Sequence, residues 1–167
     1  MQLKKNNLNQ VLDRVYQNFE SADLFYGHGT DNPWDEAVAL ILMALDLPPD
    51  ADLESIQEKP IDAKSLDLID QWARMRIKTR KPLPYITQKT FFANLPFFVD
   101  ERVIVPKSPL AEWIQNLGRP WVDPEDVQHI LDLCTGSACI AIACAHYFEG
   151  SKVVASDLSP EALRVAK

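Results

Sequence analysis

Basic residues are in short supply in this chain: 17 Lys and Arg stand against 24 Asp and Glu, leaving a formal net charge of −7. The deficit is spread along the molecule, about −3 over residues 1–90 and about −4 over the rest. Broad nucleic-acid binding rests on Lys and Arg meeting phosphate, so none is expected; a basic protein partner is compatible. Long apolar runs are missing too. The longest, Ala37 to Leu45, is too short for a bilayer, and the opening MQLKKNNLNQ is polar, without a secretory or transit signature. The cytoplasm is therefore the expected location. Cysteines number 3, and Cys134, Cys139 and Cys144 fit neither C-x-x-C nor a zinc pattern, which suits a reducing compartment. His28, His129 and His146 are scattered, so no metal site is expected. Glycines number only 5.

What is present centres on Ile130 to Ala143, reading ILDLCTGSACIAIA. Val127–Leu133 has the pattern of a short strand carrying Asp132, followed by a turn of small residues, Cys134-Thr135-Gly136-Ser137. From Ser137 onward, Ala138, Ile140, Ala141, Ile142, Ala143 and Ala145 read as a buried helix. A helix start above a strand offers N–H groups and positive dipole to an anionic group. Lys152–Asp157 reads as a second buried strand ending on an acid. Asp157 follows Ala138 by 19 residues, near the spacing of about 20 at which an acid meets a ribose hydroxyl. Ser159-Pro160 then opens a further helix, with Ser as N-cap and Pro at its first position. The whole is one βαβ unit of a parallel sheet.

The ligand of such a unit should carry a ribose. A dinucleotide loop wants three glycines in G-x-G-x-x-G, and only Gly136 stands here. The form Asp-x-x-Thr-Gly-Ser is similar to the first motif of S-adenosylmethionine methyltransferases.

Residues 1–80 read as helices. Leu8, Val11, Leu12, Val15 and Phe19 recur at helical spacing, and Gly27-His28-Gly29-Thr30 ends that element. Asn32-Pro33-Trp34-Asp35-Glu36 is a helix start with N-cap, proline and acids in order, and Pro48-Pro49 stops the helix it opens. A third helix near Asp62 places Leu66, Ile69, Trp72 and Ala73 on one face. Its basic end, with Arg74, Arg76, Lys78, Arg80 and Lys81, is expected to complement the helix dipole; the alternative is a recognition edge for RNA or an acidic segment. Phe91-Phe92, Asn94-Leu95-Pro96 and Phe97-Phe98-Val99 predict a β-hairpin around a proline-containing turn. Val103–Val105 is a short extended run, Leu110–Leu117 a short helix stopped by Gly118, and Gly118–Glu125 a surface loop.

Four segments in order carry a family resemblance: Leu83-Pro84-Tyr85-Ile86-Thr87, Phe97 through Pro109, Asp132-Leu133-Cys134-Thr135-Gly136-Ser137, and Asp157-Leu158-Ser159. Together they resemble the HemK-like protein glutamine methyltransferases, in particular the PrmB branch, which methylates a glutamine side-chain amide on large-subunit ribosomal protein three. The resemblance is dense over about residues 70–167.

It implies an α/β fold in three parts: an N-terminal helical bundle for substrate recognition over 1–81, a β-hairpin and linker over 82–126, and over 127–167 the first βαβ unit of a Rossmann-like methyltransferase parallel sheet. It implies S-adenosyl-L-methionine as cofactor, held by Asp132, Cys134, Thr135, Gly136, Ser137, Ala138, Asp157 and Leu158, with Asp132 toward the ammonium and Asp157 on the ribose. Pro106–Pro109 would border the cleft. The partner implied is a large-subunit ribosomal protein. An amide nitrogen is a poor nucleophile, so the enzyme must fix geometry and accept its hydrogens; the family does so with an Asn-Pro-Pro-Tyr motif.

That motif is absent from these 167 residues, so no catalytic residue is assigned. The chain by itself is expected to be inactive, a truncated N-terminal portion whose sheet lacks later strands and exposes an apolar face. The alternatives are a non-catalytic module that binds the ribosomal protein, or a fragment of a nucleic-acid methyltransferase. Two positions depart from the family: Lys107 where Arg is usual, which loses a planar fork, and Ala138 where Gly is usual. Because Ala is the better helix former, the helix is expected not to suffer, and only cofactor affinity to be affected.

Overall fold

The computed structural model describes residues 7–167; Met1–Asn6 of the polar opening lie outside the described residues. The chain divides into two compact units, one through Thr87 and one from Gln88 onward.

The first unit is helical: α1 Leu8–Glu20, α2 Pro33–Ala44, α3 Ala63–Thr79 and the short α4 Leu83–Thr87. Its helices start where side chains satisfy the orphan N–H groups of a first turn. Asn7 accepts from Gln10 N at 3.0 Å, Asn32 from Asp35 N at 2.9 Å, and Asp62 from Ser65 N at 3.0 Å. Leu8, Val11, Leu12, Val15 and Phe19 of α1 meet Leu40 and Ile41 of α2 and Ile69 and Ala73 of α3 in one buried cluster. Each such aliphatic or aromatic side chain contributes about 1.5–3 kcal/mol by leaving water. The helical spacing of these residues is therefore core-facing.

At the basic end of α3, Lys78 is an exposed cation in the last turn, as the helix dipole favours, and Arg76 alone departs from both expectations. Arg76 is a core residue, 2% exposed, in an ion pair with Glu36 of α2, itself 4% exposed. Its Nη2 donates to Phe25 O at 2.8 Å and its Nη1 to Arg80 O at 3.1 Å, and its guanidinium lies 5.8 Å from the Tyr26 ring centroid. Glu36 accepts from the Thr30 hydroxyl at 3.1 Å as well. A buried charge is tolerated only when paired and hydrogen-bonded, and here one ion pair ties α2, α3 and the 25–30 loop together. Periodicity sees a cation at a helix end; it does not see the acid contributed by another helix.

The second unit opens with β1 Lys89–Phe92 and β2 Leu95–Phe98, an antiparallel hairpin. Its turn is Ala93-Asn94, at φ 48° and 62°, the left-handed pair that matches strand twist. The predicted proline turn is corrected: Pro96 lies within β2, opposite Phe91. Among the described residues Val103–Val105 forms no strand, yet it alternates as an extended segment does, with Val103 and Val105 buried and Ile104 exposed. Helix α5, Leu110–Gln115, gives way to Leu117 and Gly118 at φ 57° and 76°, and a single 3-10 turn follows at Pro124–Asp126.

Strand β3 His129–Leu133, helix α6 Cys139–Tyr147 and strand β4 Lys152–Ser156 form a βαβ arrangement, and α7 Pro160–Val165 comes after them. The two strands pair in parallel, with Asp132 opposite Ala155 and Leu133 opposite Ser156. Helix α6 packs Cys139, Ala143 and Cys144 against Phe92, Phe97 and Ile114, with Ile130 and Val153 of the strands beneath. The Tyr147 hydroxyl donates to Ala93 O at 3.0 Å, fastening the hairpin turn to the end of α6. The other face of the strand pair is bare: Leu131 is 61% exposed, Leu133 66% and Val154 48%. Among the described residues the fold is thus mixed helix and strand with two small sheets.

Candidate functional site

The geometry of interest lies where β3 and β4 end side by side. Strand pairing continues one step past β3, with Thr135 N donating to Ser156 O at 2.9 Å. The chain then turns through three left-handed residues spaced by two: Cys134 at φ 60°, Gly136 at 58° and Ala138 at 61°. Between them Thr135 and Ser137 are buried, while Cys134 is exposed. Helix α6 starts at Cys139, so Ala138 is its N-cap and not a helical residue.

That placement corrects the expectation for Ala138. The left-handed region crowds a Cβ and disfavours alanine by roughly 1–2 kcal/mol, and Ala138 has no side chain to cap the helix. Helix propensity is thus the wrong measure for this position. A glycine suits it for a backbone reason.

The missing cap is supplied from the strand. Asp132 Oδ2 accepts from Ala141 N at 3.1 Å, the third residue of α6, and from the Thr135 hydroxyl at 2.5 Å. Both bonds fall on one carboxylate oxygen. The negative charge sits at the positive end of the helix, where the dipole favours it.

Asp157 follows β4 directly. Its Oδ2 accepts from Gly136 N at 2.8 Å and its Oδ1 from Ser159 N at 2.8 Å. The Ser159 and Gly136 amides hold this carboxyl below the usual aspartate range, because N–H donors favour the charged form. Leu158 beside it is 99% exposed. Ser159 caps α7 through its hydroxyl, which accepts from Ala162 N at 3.2 Å.

Asp132, Thr135, Gly136 and Asp157 therefore meet at one junction through these bonds, and Cys134, Ser137 and Ala138 belong to the same turn. Leu158 stands at its edge with its side chain in solvent. A Cβ added at Gly136 would meet nothing within 4 Å, so a ligand can approach the backbone there. Two carboxylates and a glycine turn suit a ligand with positive charge and hydroxyl groups. Burial pushes the Cys139 and Cys144 thiols up, which keeps them protonated and inert. Sequence reasoning did not see that Asp132 and Asp157 bond to this chain's own amides; their position at strand ends was visible, their partners were not.

No family model matches the chain. Curated relatives do. The chain is similar to "Ribosomal protein uL3 glutamine methyltransferase" of Francisella tularensis subsp. tularensis, strain SCHU S4 / Schu 4, with 41% identity over 165 residues, 96% of this chain and 52% of the relative. It is similar to the protein of the same name from Xylella fastidiosa, strain Temecula1 / ATCC 700964, with 44% identity over 148 residues, 89% of this chain and 47% of the relative. The chain thus spans about half the length of the curated relatives it matches.

Proposed function

We propose that this chain is part of an S-adenosylmethionine-dependent protein glutamine methyltransferase acting on a side-chain amide of ribosomal protein uL3. The relatives of that name at 41% and 44% identity support the reaction and the substrate. The single structural observation that carries the reading is the junction of Asp132, Gly136 and Asp157, with Gly136 open above its Cα. On this reading β3, α6 and β4 begin a Rossmann-like parallel sheet.

The cofactor's chemistry is a methyl group activated on a cationic sulfur. This chain's residues would hold it: the 134–138 turn against the methionine part, Asp132 as counter-charge to the ammonium, and Asp157 near the ribose. Opposite charges a few ångströms apart attract more strongly beside protein than in bulk water. Cys134 and Leu158, both exposed at the turn, would line the approach. The helical unit through Thr87 would contact the protein substrate, and the chain's net charge of −7 suits a basic partner. Among the described residues no helix is long and apolar enough to cross a membrane.

Calorimetric titration of the chain with S-adenosylmethionine tests the cofactor reading. Saturable binding, weakened by excess S-adenosylhomocysteine, is the expected result. A flat titration of the folded chain counts against a cofactor site formed by these residues. Methyl transfer to uL3 is expected only when Asn-Pro-Pro-Tyr is also present, and transfer by these 167 residues would refute that requirement.

A further inference from the structure

The acid after β4 is in direct contact with the turn after β3. Two successive bonds pin that turn to the end of β4: Thr135 N to Ser156 O at 2.9 Å, and Gly136 N to Asp157 Oδ2 at 2.8 Å. The first uses backbone only and would form with any residues. The second depends on a carboxylate at one position. The other oxygen, Oδ1, takes Ser159 N at 2.8 Å, which fixes the orientation of the carboxylate plane. Gly136 is left-handed at φ 58° with nothing above its Cα, so no side-chain packing holds its conformation from that side.

We propose that Asp157 is a positioning residue for the Cys134–Ala138 turn: its carboxylate sets Gly136 in place before a ligand arrives, independently of any contact it makes to a ribose. Each carboxylate oxygen has two acceptor sites, so holding Gly136 and Ser159 leaves capacity for a hydroxyl. The two roles are separable. The inference depends on the function proposed above only for the identity of the ligand; the contact with Gly136 stands without it.

The test has two arms. In the first, amide hydrogen exchange of the ligand-free chain is followed by NMR for wild type, Asp157→Ala and Asp157→Asn. Gly136 is expected to exchange at least tenfold faster in the alanine variant, while Gly150, in the loop before β4, and the amides of α1 keep their rates. Asparagine keeps one acceptor oxygen but must turn an NH2 toward one of the two N–H donors, so Gly136 or Ser159 is exposed in that variant. It is the variant to read if alanine fails to fold. An unchanged Gly136 and Ser159 in the folded variants overturns the proposal.

In the second arm, S-adenosylmethionine and its analogue lacking both ribose hydroxyls are titrated against wild type and Asp157→Ala. A positioning role weakens binding of the analogue as well as of the natural cofactor, and any extra loss for the natural cofactor measures the ribose contact. Loss confined to the natural cofactor assigns Asp157 to the ribose alone and overturns the proposal. A wild-type chain that binds neither ligand counts against the function proposed above, and the exchange comparison then decides the role of Asp157 by itself.

Discussion

Replacing Ala138 by glycine and comparing it with the same replacement three residues on isolates one backbone effect. Ala138 and Ala141 are both 6% exposed, so each substitution removes a buried methyl of similar worth, about 0.8 kcal/mol. Each adds the same freedom to the unfolded chain, about 0.4–1 kcal/mol against folding. These terms cancel between the two variants. What remains is conformation: Ala138 sits at φ 61° and ψ 19°, where an L-residue is disfavoured by roughly 1–2 kcal/mol, whereas Ala141 lies inside a right-handed helix. Ala138→Gly should therefore leave the chain about 1–2 kcal/mol more stable than Ala141→Gly. With a slope of about 1–2 kcal/mol per molar for a unit of this size, the urea midpoints differ by about 1 M. The probe is Trp113, whose ring packs 6.3 Å from Phe148 just past α6. Equal midpoints for the two variants would refute the assignment of Ala138 to a strained left-handed cap.

The other predictions concern charge and thiols. Arg76→Met leaves Glu36 buried without its cation and should cost about 3–5 kcal/mol; Glu36→Leu with Arg76→Met should recover much of that, read as the urea midpoint of Trp72 fluorescence. The folded Asp157 carboxyl titrates below its unfolded counterpart, so its contribution is present above the ordinary aspartate range and is lost as pH falls through the depressed folded value. Acid titrations of wild type and Asp157→Asn should therefore separate in stability above that window and converge below it. Of the three thiols, Cys134 should react first with a disulfide reagent in the folded chain, and Cys139 and Cys144 only in denaturant, because both are buried with raised pKa.

Local chemistry made much of this molecule legible in advance. Asn32 and Ser159 are caps whose side chains accept the expected amides, α3 begins beside Asp62 as its pattern predicts, and the helical spacing of Leu8 through Phe19 gave the buried face of α1. The bare face of Leu131, Leu133 and Val154 agrees with an apolar face expected to lack cover, but it overturns the buried reading of the second strand, in which Val153 alone is half-buried. What escaped depends on residues distant in sequence or on dihedral angles. Arg76 looks like a surface cation until Glu36, 40 residues away, is brought to it. Ala93-Asn94 lacks the glycine that marks a left-handed hairpin turn, so Pro96 drew the prediction instead. Ala138 looked like a helix former because composition carries no φ. Asp132 and Asp157 stood out as acids at strand ends, but the amides they hold lie across a turn that no spacing rule describes.

The borrowed cap of α6 bears on how this part of the chain folds. A nine-residue helix is too short to persist alone in water, since its first turn is costly to nucleate. Here the group that completes that first turn is Asp132, which belongs to the preceding strand. Placement of the end of β3 beside it therefore favours the first turn of α6. The bond couples strand to helix, and the expected outcome is that φ-values measured at Asp132 and Ala141 are similar; a high value at one with a low value at the other would show that the helix forms without its borrowed cap.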